Sequence, residues 1–236
     1  MTGGIVIWVL IQPDLSTSIV LLVLWFALLW ASGLEVKQLL FAGGAGVMAL
    51  LVGLPLMFLS YDPQATGGVI KPYQIERIIN FLFPQGDARF GANYNVEQAL
   101  ISIGSGGWLG EGYGSGSQVQ LRFLKVRHSD FIFSALSEEF GFVGAILVLA
   151  TLVFIIIRCL RAARIAGDTY GGLIAYGVAT LLTFQTVVNV GMNLRLLPVT
   201  GLTLPFVSYG GSSLITSFIG IGLVESILLR HKELEF

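Results

Sequence analysis

Charge is what this sequence has least of. Acidic and basic residues make up 11% of its 236 positions, less than half the share of about 25% usual in soluble domains. A chain so poor in charge, 55% hydrophobic and with a mean hydropathy of +0.83, cannot present a water-compatible surface over its whole length. The composition predicts an all-α integral membrane protein, a polytopic helical bundle. A net charge of −1 leaves no broad basic footprint for nucleic acid. Cysteine is almost absent: with Cys159 alone, an intrachain disulfide and a thiolate metal cluster are both excluded. Met1–Gly4 lacks a positive n-region and the apolar run Ile5–Ile11 stops at Gln12-Pro13, so no cleavable signal peptide is expected. That run looks like the tail of a helix whose beginning is absent. Glycine, by contrast, is plentiful at 30 residues, which in a membrane points to close helix packing or to interfacial loops.

Five apolar runs are long enough to span a bilayer, at about 15–32, 39–60, 142–160, 170–192 and 209–229. Asp14, after Pro13, is placed to cap the first of them; a catalytic role is the alternative. Gly43, Gly44 and Gly46 suit tight contacts in the second, and Pro55 suits a kink. A long polar region at about 61–139 separates the second run from the third. Within it, Tyr73–Leu82 has the apolar spacing of an amphipathic helix lying at the interface, ended by Pro84. Asn93–Gln98 then leads into a glycine-rich stretch. Lys37, Arg158, Arg161, Arg164, Arg230 and Lys232 fall on one side of the spans, and Arg195 is the only basic residue in the short loop on the other. The bias of short loops places the first side in the cytoplasm and the polar region outside. One membrane domain over 1–236 is expected.

The chemistry is expected in Gly104–Gly144, the only long polar passage between apolar runs. Its seven glycines between Gly104 and Gly116 could turn backbone amides toward an anion or act as an interfacial hinge. A dinucleotide loop is excluded, because no βαβ pattern surrounds it. Arg122, Lys125 and Arg127 could hold lipid headgroups or a lipid-linked diphosphate. The diphosphate reading gains from Asp130 beside them, since a leaving diphosphate needs positive charge and an attacking hydroxyl needs a base. His128-Ser129-Asp130 is no hydrolase triad, because three consecutive side chains project in different directions. Asp130 could also simply cap a helix over Phe131–Glu139. Glu138 and Glu139 are adjacent on that helix, face roughly opposite sides and default to structural pairing. Gln185, Asn189 and Asn193 place three amides on one face of an apolar helix, either lining a cavity or binding neighbouring helices. The stretch Leu197–Ser213, with Pro198 and Pro205, reads as irregular backbone that only protein or a watery cavity can satisfy.

Several motifs together resemble the SEDS family (shape, elongation, division and sporulation). They are Gln12-Pro13-Asp14-Leu15, Ile103–Gly107, His128-Ser129-Asp130-Phe131-Ile132-Phe133 with Glu138-Glu139-Phe140-Gly141, Leu197–Gly201 and Leu204–Ser213. Asn95–Gln98 and Gly191-Met192-Asn193 look closer to the elongation branch than to the division branch. The resemblance implies a peptidoglycan glycosyltransferase that polymerises lipid II at the outer face of the bacterial cytoplasmic membrane, for cell elongation and shape, beside a class B penicillin-binding protein. Asp130 matches the family's catalytic aspartate, which deprotonates the acceptor 4-hydroxyl as undecaprenyl diphosphate departs. A divalent cation, Mg or Mn, would suit that leaving group; its ligands are not legible, and no organic cofactor is implied. Substrate contacts are expected from Arg122, Lys125, Arg127, His128, Ser105, Gln98, Asn193, Ser208 and Ser212. Structural roles fall to Asp14, Glu138, Glu139, Pro198, Pro205, Gly210 and Gly211. The family has about ten spans, so the chain is expected to be the C-terminal portion of the fold. Ser16 stands where glycine is usual, Lys125-Val126 where proline and an acidic residue are common, and Arg195 where a small residue is common. A lipid II flippase and a non-catalytic partner of the penicillin-binding protein are the alternatives.

Overall fold

The structure, a computed structural model, describes residues 15–33, 37–38, 44, 92–120 and 129–233. Apart from Gly44, the expected span at 39–60 lies outside the described residues, and so does the amphipathic helix at 73–82. Two compact units divide the chain, Met1–Leu82 and Phe83–Phe236.

In the first unit, helix α1 (Leu15–Ala31) carries no charged residue. At 1.5 Å per residue its 17 residues reach roughly 25 Å, close to the thickness of a hydrocarbon core. Trp25, Phe26 and Trp30 are exposed on it, a surface that suits lipid rather than water. The helix closes at Gly33, which adopts a left-handed φ of 80° and whose amide donates to Trp30 O.

The second unit holds α2 (Ala92–Ser105), α3 (Ser117–Gln120), α4 (Ile132–Ile165), α5 (Thr169–Asn193) and α6 (Gly211–Glu233). Among the described residues, α4, α5 and α6 are the helices long and apolar enough to cross a membrane. Helix α5 packs on α4, α6 packs on α5 and α4, and α2 lies against α4. Small residues set the approach. Ala162 of α4 and Ala175 and Ala179 of α5 are buried together with Leu182 and Val224, and a Cβ on Gly220 of α6 would come 3.2 Å from Val178 of α5. Without a hydrophobic force to join helices in lipid, such close backbones gain their stability from dispersion contacts. The outward faces stay apolar, with Leu147, Phe154, Ile215 and Leu229 all more than 60% exposed.

Three boundaries differ from the sequence reading. Helix α4 begins at Ile132 and continues to Ile165, taking in both the short helix expected over 131–139 and the span at 142–160. It is not one straight rod: Gly141, with φ 68° and ψ −169°, breaks it into two segments. Helix α5 starts one residue before the expected span, because Asp168 caps it through Oδ2, which accepts from Gly171 N at 2.9 Å. Helix α6 runs to Glu233, so the polar tail begins inside it. Helix α2 is an addition. Its polar first half hid it, but Val96, Ala99, Leu100 and Ile103 have helical spacing, and Val96 and Ala99 pack on Phe131 and Ala135 of the α4 region.

Candidate active site

The break at Gly141 explains the glycine-rich loop. A broken helix leaves carbonyls before the break and amides after it without partners. The loop supplies both: Glu111 N donates to Glu138 O (2.9 Å) and Gly112 N to Glu139 O (3.1 Å), while Gly107 O accepts from Phe142 N (2.9 Å) and Trp108 O from Val143 N (3.2 Å). Backbones can come this close only without side chains. A Cβ on Gly141 would lie 2.6 Å from Trp108 O, one on Gly110 would collide with Glu139 O, and one on Gly106 with Ser137 O. The amides of Glu111 and Gly112 grip the helix break, so these two are not available to cradle an anion.

Glu138 is fully buried beneath this loop. Its Oε1 accepts from Gln118 N at 2.7 Å and Ser117 Oγ at 3.5 Å, which anchors the short α3, and its Oε2 has no hydrogen-bond partner. Glu139, its neighbour, is half-buried. Backbone anchoring rather than ion pairing is the role Glu138 performs among the described residues.

At the other side of the N-terminal segment of α4 lies the Ser129-Asp130 step. Asp130 does not cap the helix. The cap position is Phe131, and no side chain bonds there. The step is held by its carbonyls instead. Asn189 Nδ2 and Asn193 Nδ2 each donate to Asp130 O at 3.1 Å, and Ser208 Oγ donates to Ser129 O at 2.8 Å. Asn189 Nδ2 also donates to Leu202 O at 2.7 Å, and Ser208 Oγ accepts from Leu204 N at 2.8 Å. Asn193 is saturated: Nδ2 also donates to Asn189 O, and Oδ1 accepts from Ser134 N (3.2 Å) and Ser134 Oγ (2.6 Å). One helix face of α5 thus fastens the entry to α4 and the irregular stretch after α5 to each other. Buried polar groups can do this only if all are paired, and here they are.

The Asp130 side chain is left over from this clamp. It is half-exposed, and among the described residues its carboxylate takes no hydrogen bond or ion pair. Beside it runs the 194–210 stretch, where Gly201 (φ 79°) brings its backbone so close that a Cβ there would lie 3.7 Å from Asp130 Oδ2. Thr200 Oγ1 contacts the buried Met192 Sδ at 3.7 Å, and Leu204 and Pro205 are fully buried beneath. Leu197 covers Gly191, whose carbonyl oxygen accepts from Leu196 N and Leu197 N. Arg195, where a small residue is common in the family it resembles, has φ 58°, the conformation that favours glycine or asparagine. A carboxylate with a free edge on a fixed backbone can take a proton from a hydroxyl brought to it.

The candidate residues divide accordingly. Asp130, Asn193 and Ser208 come together, joined by Asn189, Ser134 and Gly201. Asn193 and Ser208 are buried and their hydrogen-bonding groups bind backbone and Ser134, so the expected substrate contact is replaced by a positioning role. Ser105 ends α2, exposed, with Oγ donating to Ser102 O at 3.0 Å. Gln98 is half-buried on α2. Ser212 is exposed on the first turn of α6, which is tied to the loop by Thr203 Oγ1 and Ser213 Oγ at 2.8 Å. Gly210 O accepts from Leu214 N to open α6, and Gly211 and the half-buried Pro198 complete that connection. Asp14, Arg122, Lys125, Arg127 and His128 lie outside the described residues. Asn189 stood in the amide face read from sequence and Gly201 in the Leu197–Gly201 motif, though without the roles they have here. Ser134 was missed, because it matters through Asn193, a partner distant in the chain.

The chain is similar throughout to known proteins. The sequence model of the FtsW/RodA/SpoVE cell cycle proteins matches residues 2–233. The peptidoglycan glycosyltransferase MrdB of Escherichia coli K12 is 40% identical over 225 residues, covering 94% of this chain and 57% of MrdB. The peptidoglycan glycosyltransferase RodA of Treponema pallidum is 41% identical over 211 residues, covering 89% of this chain and 48% of that one. A solved chain from a peptidoglycan synthase complex that coordinates polymerization and crosslinking is 34% identical with a TM-score of 0.74, over 98% of this chain and 60% of that one. The chain spans about half the length of the curated relatives it matches. With its motifs in family order, its helical membrane fold and a family match across nearly its whole length, the chain belongs to the FtsW/RodA/SpoVE family of cell cycle proteins.

Proposed function

We propose that this chain carries the catalytic carboxylate of a peptidoglycan glycosyltransferase that polymerises lipid II in cell elongation. The observation that carries the reading is the Asp130 clamp: three side-chain groups hold the backbone of one aspartate step while leaving its carboxylate open. Relatives bearing the name peptidoglycan glycosyltransferase support the reaction class. In this scheme Asp130 takes the proton of the acceptor sugar's 4-hydroxyl as that oxygen attacks the donor's anomeric carbon. Undecaprenyl diphosphate leaves, its charge met by Arg122, Lys125 and Arg127. A divalent cation is part of the proposal, since ions of the magnesium type bind through one or two carboxylates together with substrate phosphates. Among the described residues no group of three His, Cys, Asp or Glu gathers as a protein cage, and Asp130 is kept for the proton rather than for the ion. When bound, that ion would neutralise charge on the diphosphate. The catalytic face is assigned to the outer side of the cytoplasmic membrane from the distribution of basic residues. A class B penicillin-binding protein is the proposed partner, supported by the likeness to a chain from a complex that couples polymerization to crosslinking.

A transporter would use the Gln185, Asn189 and Asn193 face to line a path. Asn189 and Asn193 are instead fully buried and bonded to backbone, which favours the enzyme reading over that one. The test places full-length protein carrying Asp130→Asn in liposomes, scoring both glycan strands and lipid II movement between leaflets. Loss of strands with lipid II binding retained is expected. Strands formed at the unmodified rate would overturn the proposal, and Asp130-independent lipid movement would restore the transporter.

A further inference from the structure

The end of the bundle away from Asp130 has a groove that the proposed reaction does not use. Arg158 and Arg161, three residues apart on α4 and so on one face, line a space of about 360 Å³ with Glu225 of α6 and the apolar Ile165, Leu228 and Leu229. From Phe142 to Arg158 the second segment of α4 climbs roughly 24 Å, and from Gly211 to Glu225 α6 climbs roughly 21 Å, which sets the groove near the far edge of a hydrocarbon core about 30 Å thick. All three charged side chains are exposed, and among the described residues none makes a hydrogen bond or ion pair. At the core edge such side chains reach headgroup level, where the charges of a bound lipid can meet them.

The charges select the occupant. Two guanidiniums match the oxygens of one phosphodiester, since arginine pairs with phosphate through parallel donors. A carboxylate in the same groove would repel a purely anionic headgroup, yet it is the natural acceptor for a headgroup ammonium. Leu228, Leu229 and Ile165 offer an acyl chain an apolar wall. We infer that Arg158, Arg161 and Glu225 form a binding site for a zwitterionic phospholipid with a primary ammonium headgroup, phosphate on the arginines and ammonium on the carboxylate. The site lies on the membrane face opposite the catalytic step and stands independently of the glycosyltransferase reading.

Native mass spectrometry of the purified protein, titrated with dioleoyl phosphatidylethanolamine, phosphatidylcholine or phosphatidylglycerol, tests it. Phosphatidylethanolamine should be retained roughly tenfold better than either other lipid, the effect of one charge-assisted hydrogen bond. This comparison needs no variant, so misfolding cannot confuse it. Glu225→Gln should erase the preference while leaving some retention of all three lipids. Arg158→Gln with Arg161→Gln should lower retention of all three, with helical circular dichroism unchanged. Equal retention of the three lipids, stronger retention of phosphatidylglycerol, or a preference that survives Glu225→Gln would overturn the assignment.

Discussion

Asn193 shows how one side chain can decide the geometry of another it never touches. Its amide reaches the backbone of Asp130, the helix of which it is part and both polar groups of Ser134. Replacing it by alanine strands several buried groups, each worth about 1–3 kcal/mol when left unpaired. Asn193→Ala should therefore lower stability by about 3 kcal/mol, read as an earlier thermal unfolding midpoint in micelles, and should reduce the polymerisation rate more than it weakens lipid II binding. Ser208→Ala removes only the bond to Ser129 O and the acceptor for Leu204 N, so a smaller loss of about 1–2 kcal/mol is expected in the same measurement. Arg195 points the other way. A non-glycine residue in the left-handed region costs about 1–2 kcal/mol, so Arg195→Gly should raise the unfolding midpoint; a lower midpoint would mean that the guanidinium has a compensating role. From sequence, the four-residue spacing of Asn189 and Asn193 was legible as a polar face, but not what it binds. Asp130 stands about sixty positions earlier, and no local pattern encodes a partner at that separation.

At the scale of elements, periodicity and hydropathy made the runs at 170–192 and 209–229 legible within a few residues of α5 and α6, because lipid demands unbroken apolar helices. What they could not reveal was the join between the polar passage and the bundle. Gly141 looks like one more small residue in an apolar helix until Gly107, Trp108, Glu111 and Gly112 are seen to pair with the groups its break sets free. Helix α2 stayed hidden because its exposed polar residues mask a narrow buried stripe around Val96 and Ala99. The interlock is sterically unforgiving. Gly141→Ala must place a Cβ against the backbone of Trp108–Gly110 at a φ of 68°. Limited proteolysis should accordingly cut the variant within 106–116 at protease concentrations that leave the parent intact, with α4 to α6 still helical by circular dichroism. Resistance equal to the parent's would show that the loop does not depend on the break.

For the whole molecule, the composition alone pointed to a membrane bundle, and the described helices bear apolar outer faces consistent with it. Sidedness can be read with thiol labelling, since the single native Cys159 is buried at 1% exposure and gives little background. In intact cells, Ser212→Cys should react with an impermeant maleimide, whereas Tyr170→Cys, exposed at the opposite end of α5, should react only after permeabilisation. The reverse pattern would move the Asp130 step to the cytoplasmic side and remove it from any extracellular substrate. The central claim is that the clamped carboxylate performs the proton transfer, and single-turnover glycosyl transfer by full-length protein with prebound lipid II tests it most directly. Asp130→Asn should slow that turnover by about 100- to 10,000-fold, the usual contribution of a positioned general base, with lipid II occupancy unchanged. A turnover within about threefold of the parent, where only a fraction of that contribution is missing, would contradict the account.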